Sequence, residues 1–171
     1  MARLRLAEQE EWATALEIID QAKAFLKEQG IDQWQKGYPD AECIRRDIAG
    51  EKGYFVLDEE DRVMGYLCLD FAGEPAYEGL RGQWRSGGEP YAVVHRLAFL
   101  HSARGKGLAG RVFRLVEQAC RENRVYALRC DTDEDNTIMK NLLVKNGFSY
   151  CGTIWFDNSV KIAYEKLLKE E

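Results

Sequence analysis

The sequence predicts one mixed α/β domain spanning residues 1–171, and three observations support this fold class. A chain of this length suits a single domain, since domains usually hold roughly 100–200 residues. Helical and strand-like apolar spacings alternate along the chain. No repeat, linker or low-complexity stretch separates them. Together these observations indicate helices packed against one sheet.

The first half of the chain predicts a strand, two helices and a hairpin. Apolar and charged residues alternate at first, and apolar residues then recur at helical spacing. Glycines end both helices, and the acidic turn 58–61 separates two β-rich runs. The predicted elements are a strand at 3–6, a helix from Trp12 to Gly30, a helix or helical turn from Ala41 to Gly50 that Pro39 and Asp40 precede, and strands at 54–57 and 63–71. The glycine-rich segment 72–88 is predicted to be irregular.

The second half of the chain predicts the order β, α, β, α, β, β. Its first strand, residues 91–100, is apolar on both faces, which favours a central position in the sheet. The later elements are predicted as a helix at about 107–122, a strand at 125–130, a helix at 136–145, and strands at 148–156 and 160–167. The last two strands form a pair that turns at Asp157 and Asn158.

Composition and charge narrow the class of partner. The net charge of −5 is the opposite of the basic character that drives nucleic-acid binding, so we expect no nucleic-acid partner and favour a cationic small substrate. The apolar runs fall short of the roughly 20 residues that cross a bilayer. Residues 1–12 lack the apolar core of a secretory signal. We therefore expect a cytoplasmic protein that has no membrane partner.

The five cysteines are odd in number, widely scattered and free of any CxxC pair. This pattern indicates neither a disulfide framework nor a zinc site. We expect the cysteines to be small buried hydrophobic residues, and we expect no metal cofactor.

A glycine-rich turn, residues 104–110, lies between the central strand and the following helix. Backbone amides and the helix dipole at such a position bind anions, and Arg104 and Lys106 add positive charge. A plain tight turn with solvated cations is the alternative. Gly105, Gly107 and Gly110 also spell the GxGxxG of dinucleotide-binding folds. That fold needs further parallel strands, however, and only about forty residues follow the next strand.

Two motifs in order resemble the GNAT superfamily of N-acetyltransferases. The first is R-x-x-G-x-A, formed by Arg104, Gly107 and Ala109, and the second is an Asn-initiated helix, from Asn136, that ends in Lys-x-Gly-Phe at Phe148. The resemblance covers residues 54 to about 167. It implies an α/β fold of the α+β type, with a mixed, mostly antiparallel central sheet, a splayed parallel pair and flanking helices.

The resemblance also implies an activity. GNAT enzymes transfer an acetyl group from acetyl-CoA to a primary amine by direct attack within a ternary complex. Cofactor contacts carried over from the family are the backbone of the strand end for the pantetheine arm, the turn amides for the pyrophosphate, and one amide side chain for the cofactor's amide region. These residues are Leu97, Ala98 and Phe99, then Arg104, Gly105, Lys106, Gly107, Leu108 and Ala109, and finally Asn136.

The candidate catalytic residues follow from the proton transfers that the reaction requires. A protonated amine needs a base, and His95 precedes the cofactor-binding stretch on the strand face expected for Leu97 and Phe99. A hydrogen-bonded core histidine is the alternative. The Tyr that serves the family as general acid is replaced by Leu143, and Tyr150 is the substitute candidate. The missing Tyr keeps a second function open, a non-catalytic acyl-CoA-binding module.

Substrate contacts are expected from two segments, 32–40 and 74–91. They hold Trp34, Tyr77 and Trp84 together with several carboxylates, and aromatic faces and carboxylates suit a positively charged amine. Packing of Trp34 and Trp84 at the core edge is the alternative. The expected partner is a small-molecule amine or a peptide amino terminus, and the sequence leaves a homodimer open.

Overall fold

The computed structural model describes residues 2–170. The first-half elements are β1 (Arg3–Leu6), α1 (Trp12–Glu28), α2 (Ala41–Ala49), β2 (Gly53–Leu57), β3 (Val63–Asp70) and β4 (Arg81–Gly82). The second-half elements are β5 (Ala92–Phe99), α3 (Leu108–Glu122), β6 (Ala127–Thr132), α4 (Thr137–Lys145), β7 (Ser149–Phe156) and β8 (Ser159–Leu167). Each helix and strand expected from the sequence is confirmed to within a few residues. The two-residue strand β4 and short 3₁₀ helices are additional.

The strands form one sheet of eight in the order β1-β2-β3-β5-β6-β8-β7-β4. Strands β5 and β6 are parallel and pair at two registers, Ala92 with Leu128 and Val93 with Arg129. Strand β8 runs antiparallel to both β6 and β7. This mixed, mostly antiparallel sheet confirms the fold class. It contradicts the dinucleotide-binding alternative, because that fold continues with parallel strands after the position of β6.

Two compact units make up the chain. The first consists of residues 2–69 with His95–Leu115, and the second of residues 70–94 with 116–170. Strand β5 contributes its start to the second unit and its end to the first. The expectation of a single domain stays a prediction. Among the described residues, no helix combines the length and apolarity needed to span a membrane.

In the first unit, α1 and α2 cover β1, β2 and β3. Ile18 and Ile19 of α1 and Ile44 of α2 are buried with Phe55 and Tyr66 in one apolar cluster. Helix α2 begins where the sequence predicts, because the Asp40 side chain accepts a 2.9 Å hydrogen bond from the backbone N–H of Cys43.

In the second unit, β8 is held between β6 and β7. The hairpin from β7 to β8 turns at Asp157 and Asn158, whose φ values of 50° and 56° match the twist of the flanking strands. A separate apolar cluster contains Tyr77, Val93, Ile154 and Ala163. Strand β4 was missed because its Gly82 pairs with Gly152 of β7, and glycines within a short segment indicate a loop rather than a strand.

Candidate functional site

The turn between β5 and α3 has the conformation that an anion site requires. After a 3₁₀ helix at His101–Ala103, Gly105 and Gly107 adopt the left-handed φ values of 76° and 69°. Among residues 2–170, and apart from the glycine itself and its two chain neighbours, no heavy atom lies within 4 Å of where a Cβ would be at either glycine. The first-turn amides of α3 lack partners within the helix, as in any helix. The turn therefore combines a left-handed backbone and open space with the exposed Lys106, which are features that an anion site requires.

The Arg104 side chain packs against the protein next to the turn rather than extending into solvent. Its Nη2 donates to the backbone carbonyl oxygen of Phe99 at 3.1 Å, and its guanidinium lies 4.2 Å from the centroid of the Phe25 ring. Partial burial lowers the pKa of Arg104, although Glu28 opposes the shift. Lys106 is thus the more accessible of the two expected cations.

Strand β5 is interrupted at Arg96, which has a left-handed φ of 54°. A non-glycine residue rarely adopts this conformation, and within a strand it marks a local break in the extended backbone. The simple alternation that placed His95 on one face with Leu97 and Phe99 does not hold across Arg96. His95, Leu97 and Phe99 are all half-buried, whereas Ala98 is buried in the core of the first unit.

A buried hydrogen-bond network holds Arg96. Its Nε and Nη2 donate to the two carboxylate oxygens of Asp47 at 2.7 and 2.5 Å, and the Tyr66 hydroxyl donates to the same carboxylate at 3.0 Å. The third nitrogen, Nη1, donates to the Tyr38 hydroxyl oxygen at 2.6 Å. Burial opposes the charge on Arg96, but the hydrogen bonds that Arg96 donates to Asp47 outweigh burial, so the pKa of Arg96 is raised.

This Arg96 network was not expected from the sequence. One signal was available, because Arg96 is a charged residue inside a strand that, apart from His95, is otherwise apolar on both faces. A charged side chain at such a position requires a buried partner of opposite charge. The partner itself, Asp47 of α2, could not be identified without the fold.

The residues expected from the second motif lie in the second unit. Asn136 is 5% exposed and caps α4, since its side-chain oxygen accepts from the Met139 N–H at 3.1 Å. Its expected contact with a cofactor stays a prediction. Leu143 is fully buried. Tyr150 is 56% exposed and packs edge-on against Tyr164, with ring centroids 6.1 Å apart.

Two of the three residues expected to contact substrate make contacts within the second unit, where Tyr77 is buried and Trp84 is half-buried. Tyr77 is 1% exposed, and its hydroxyl donates to Asp131 at 2.7 Å. The Trp84 Nε1 donates to the Tyr77 carbonyl oxygen, and the Trp84 ring lies 3.9 Å from the Arg129 guanidinium. The substrate-facing expectation for Tyr77 and Trp84 is therefore not supported. Trp34, in the first unit, is half-buried and packs against the core.

Trp84 stacks on the guanidinium group of Arg129, which is a cation of the protein itself. Arg129 lies between the Trp84 and Tyr91 rings and donates from Nε to the Glu165 carboxylate at 2.6 Å. Glu165 also accepts from the backbone N–H groups of Arg85 and Ser86 at 2.7 and 2.8 Å. This buried ion pair ties the irregular segment to β6 and β8.

The cysteines are buried and unactivated. All five are free thiols with buried side chains. Burial raises the pKa of Cys43, Cys130 and Cys151, and it raises the pKa of Cys120 to about 12. Since the thiolate is the nucleophilic form, none of these four is suited to form an acyl-enzyme intermediate.

The fold and the turn define a mixed α/β protein in which the central strand leads through left-handed glycines into a helix, an arrangement suited to a phosphate-bearing cofactor. Residues 14–148 match the sequence profile of the acetyltransferase (GNAT) family. The chain therefore belongs to the GNAT acetyltransferase family. No curated protein sequence matches it.

Solved structures of other acetyltransferases share this fold. A GNAT-family acetyltransferase from Streptococcus agalactiae is 30% identical, with a TM-score of 0.88 over 99% of this chain and 96% of that chain. A GNAT-family acetyltransferase from Listeria monocytogenes is 21% identical, with a TM-score of 0.77 over 98% and 95%. The aminoglycoside acetyltransferase AAC(6')-Ib, solved with coenzyme A and kanamycin, is 18% identical, with a TM-score of 0.70 over 98% and 95%.

Proposed function

We propose that the protein is a cytoplasmic, acetyl-CoA-dependent N-acetyltransferase that acts on a primary amine by direct attack in a ternary complex. The observation that carries the proposal is the turn at Gly105 and Gly107, whose left-handed backbone leaves open space where a cofactor's pyrophosphate fits. Membership of the acetyltransferase family supports acetyl-CoA as the donor.

The donor is expected to lie along the first unit's part of β5 and the turn that follows. The backbone of Leu97, Ala98 and Phe99 would pair with the pantetheine arm as an added strand does. The amides of residues 105–109 would hold the pyrophosphate. A backbone N–H near Phe99 would stabilise the negative charge that develops on the thioester oxygen.

Direct attack is favoured over a covalent acyl-enzyme. The cysteines are buried, and the raised pKa values of Cys43, Cys120, Cys130 and Cys151 keep these four as thiols. Holding donor and amine together supplies much of the rate enhancement without a protein nucleophile. An alkylammonium substrate has a pKa of about 10.4, so it must lose a proton before it attacks.

His95 is the candidate for the base that removes this proton. It is half-buried and lies in β5 directly before the break at Arg96. We expect the His95→Gln variant to lose about 100-fold in turnover, because general base catalysis contributes at least that much. Measured between about pH 6 and 9, the pH profile of the rate should also flatten in this variant, because the proposed proton acceptor is gone. His101→Gln, at an exposed position, is the control, and normal turnover of His95→Gln over this range would show His95 to be structural.

The acceptor is proposed to be a small-molecule amine, with a peptide amino terminus as the second class. A structural relative was solved with kanamycin, an aminoglycoside. The three aromatic residues expected to contact the acceptor all make contacts within the protein: Trp34 packs against the core of the first unit, the Tyr77 hydroxyl donates to Asp131, and Trp84 stacks on Arg129.

The test is release of free thiol from acetyl-CoA in the presence of a panel of amines. The panel contains aliphatic, aromatic and aminoglycoside amines and a peptide with a free amino terminus. Amine-dependent release supports the transferase. The alternative, a non-catalytic acyl-CoA-binding module, is motivated by Leu143 in place of the family's Tyr. Calorimetric binding of CoA with no thiol release across the whole panel would favour that module.

A further inference from the structure

We propose that the Tyr38 hydroxyl group is the proton donor to the departing CoA thiolate, and that Arg96 positions it. This inference rests on the proposed function, since it concerns the acid step of the same acetyl transfer. All residues that carry it belong to the first unit. Tyr38 lies in the segment between α1 and α2, and its side chain is half-buried.

The hydrogen bond from Arg96 determines what Tyr38 can do. Arg96 Nη1 donates to the Tyr38 oxygen at 2.6 Å, so the phenol is the acceptor in this contact. A guanidinium group carries no lone pair to receive a proton. The phenol O–H is therefore directed to an acceptor other than Arg96. A phenolate left after proton donation would be stabilised by the adjacent cation.

Arg96 is itself held rigidly. Its other two nitrogen contacts go to the two oxygens of Asp47, and Tyr66 donates to that carboxylate. The Arg96 and Asp47 side chains are only 10% and 8% exposed. A paired, enclosed guanidinium of this kind keeps both its charge and its orientation, which are the properties a positioning residue needs.

In sequence, this network adjoins the part of β5 that is proposed to hold the cofactor. Arg96 immediately precedes Leu97, Ala98 and Phe99, the backbone proposed to hold the pantetheine arm. The left-handed turn at Arg96 lets its side chain reach Asp47 and Tyr38 while the following residues continue the strand. No comparable support exists for Tyr150, which is 56% exposed and contacts another aromatic ring.

The acetyl-transfer step is balanced in bonds and in protons. The amine nitrogen forms a bond to the thioester carbon, and the carbon–sulfur bond breaks with its electron pair passing to sulfur. Tyr38 gives its proton to that sulfur and becomes a phenolate paired with Arg96. The proton lost by the amine returns to Tyr38 through the base and solvent. The products are a neutral amide and a free thiol.

The experiment compares Tyr38→Phe with the wild-type protein on two acetyl donors. On acetyl-CoA, we expect kcat to fall about 100-fold, at the lower end for a general acid, with CoA affinity within about twofold by calorimetry. On the acetyl thioester of a nitro-substituted aryl thiol, the loss should shrink to less than about threefold, because an acidic thiol leaves without a proton. Tyr126→Phe, in the second unit, is the matched control.

The outcomes distinguish failure of the Tyr38 assignment from failure of the proposed acetyltransferase activity. Equal losses on the two donors would mean that Tyr38 has only a structural role and would overturn the inference. Full activity of Tyr38→Phe, or a loss confined to Tyr150→Phe, would overturn it as well. Arg96→Lys should show the same donor dependence in weaker form, since lysine keeps the charge but not the fork that binds Asp47. Absence of turnover in the wild-type protein would reject the proposed function itself.

Discussion

Replacing Glu165 with alanine is expected to lower the free energy of unfolding by about 3–5 kcal/mol. Glu165 is fully buried and accepts hydrogen bonds from Arg129, Ser86 and the Arg85 backbone. Without the carboxylate, the Arg129 guanidinium would remain enclosed between two aromatic rings as an uncompensated charge. Urea unfolding followed by circular dichroism measures the loss.

A double variant separates the ion pair from packing. Arg129→Met combined with Glu165→Leu removes both charges and retains apolar volume, so its loss should be well below the sum of the two single variants. Glu134→Ala, at an exposed position, controls for loss of a carboxylate. A Glu165→Ala variant within about 1 kcal/mol of the wild-type protein would contradict a stabilising role for the pair.

The ion pair between Arg129 and Glu165 also makes the free energy of unfolding depend on pH in the acidic range. Burial acts to raise the pKa of Glu165, but hydrogen bonds from Ser86 and Arg129 outweigh it, so the folded-state pKa is lowered. The resulting stabilisation is present above the unfolded-state pKa of about 4.3 and is lost as the pH falls through the folded-state pKa. Below about pH 4, the free energy of unfolding should therefore change less with pH for Glu165→Gln than for the wild-type protein.

Replacing Gly107 with valine is expected to weaken CoA binding by about 10- to 150-fold. With φ at 69°, a β-branched residue is strained and the turn would change shape. Loss of one amide hydrogen bond to a charged phosphate costs about 1.5–3 kcal/mol, which corresponds to a change of that size in affinity. Calorimetric titration with CoA measures it.

Gly79 is the control position for the Gly107 variant. It too has open space around its Cβ position, but its backbone is not left-handed and it lies in the second unit. Gly79→Ala should bind CoA as the wild-type protein does. Unchanged CoA affinity in Gly107→Val would remove the pyrophosphate assignment from the turn.

Local signals predicted most of the fold. The glycines that end α1 and α2, the hairpin turn at Asp157 and Asn158, and the glycines after β5 each act through neighbouring residues, so a sequence pattern suffices to locate them. The mixed sheet followed from the order of these elements together with the family resemblance.

The side-chain partners could not be predicted in the same way. Tyr77 and Trp84 lie in an irregular, glycine-rich segment that is typical of a binding loop, yet they pack with Asp131 and Arg129 of β6. Those partners are far away in sequence, and only the pairing of the sheet brings them together. The left-handed turn at Arg96 depends equally on a distant residue, Asp47.

Mass spectrometry of the products tests the central claim most directly. Acetyl-CoA carrying an isotopically labelled acetyl group is mixed with the protein and a primary amine that supports thiol release. We expect the labelled acetyl group on the amine nitrogen, free CoA in equal amount, and no acetyl group on the protein at any time. CoA bound tightly with no acetylated amine formed, or label accumulating on the protein before the amine is added, would contradict the proposed direct transfer.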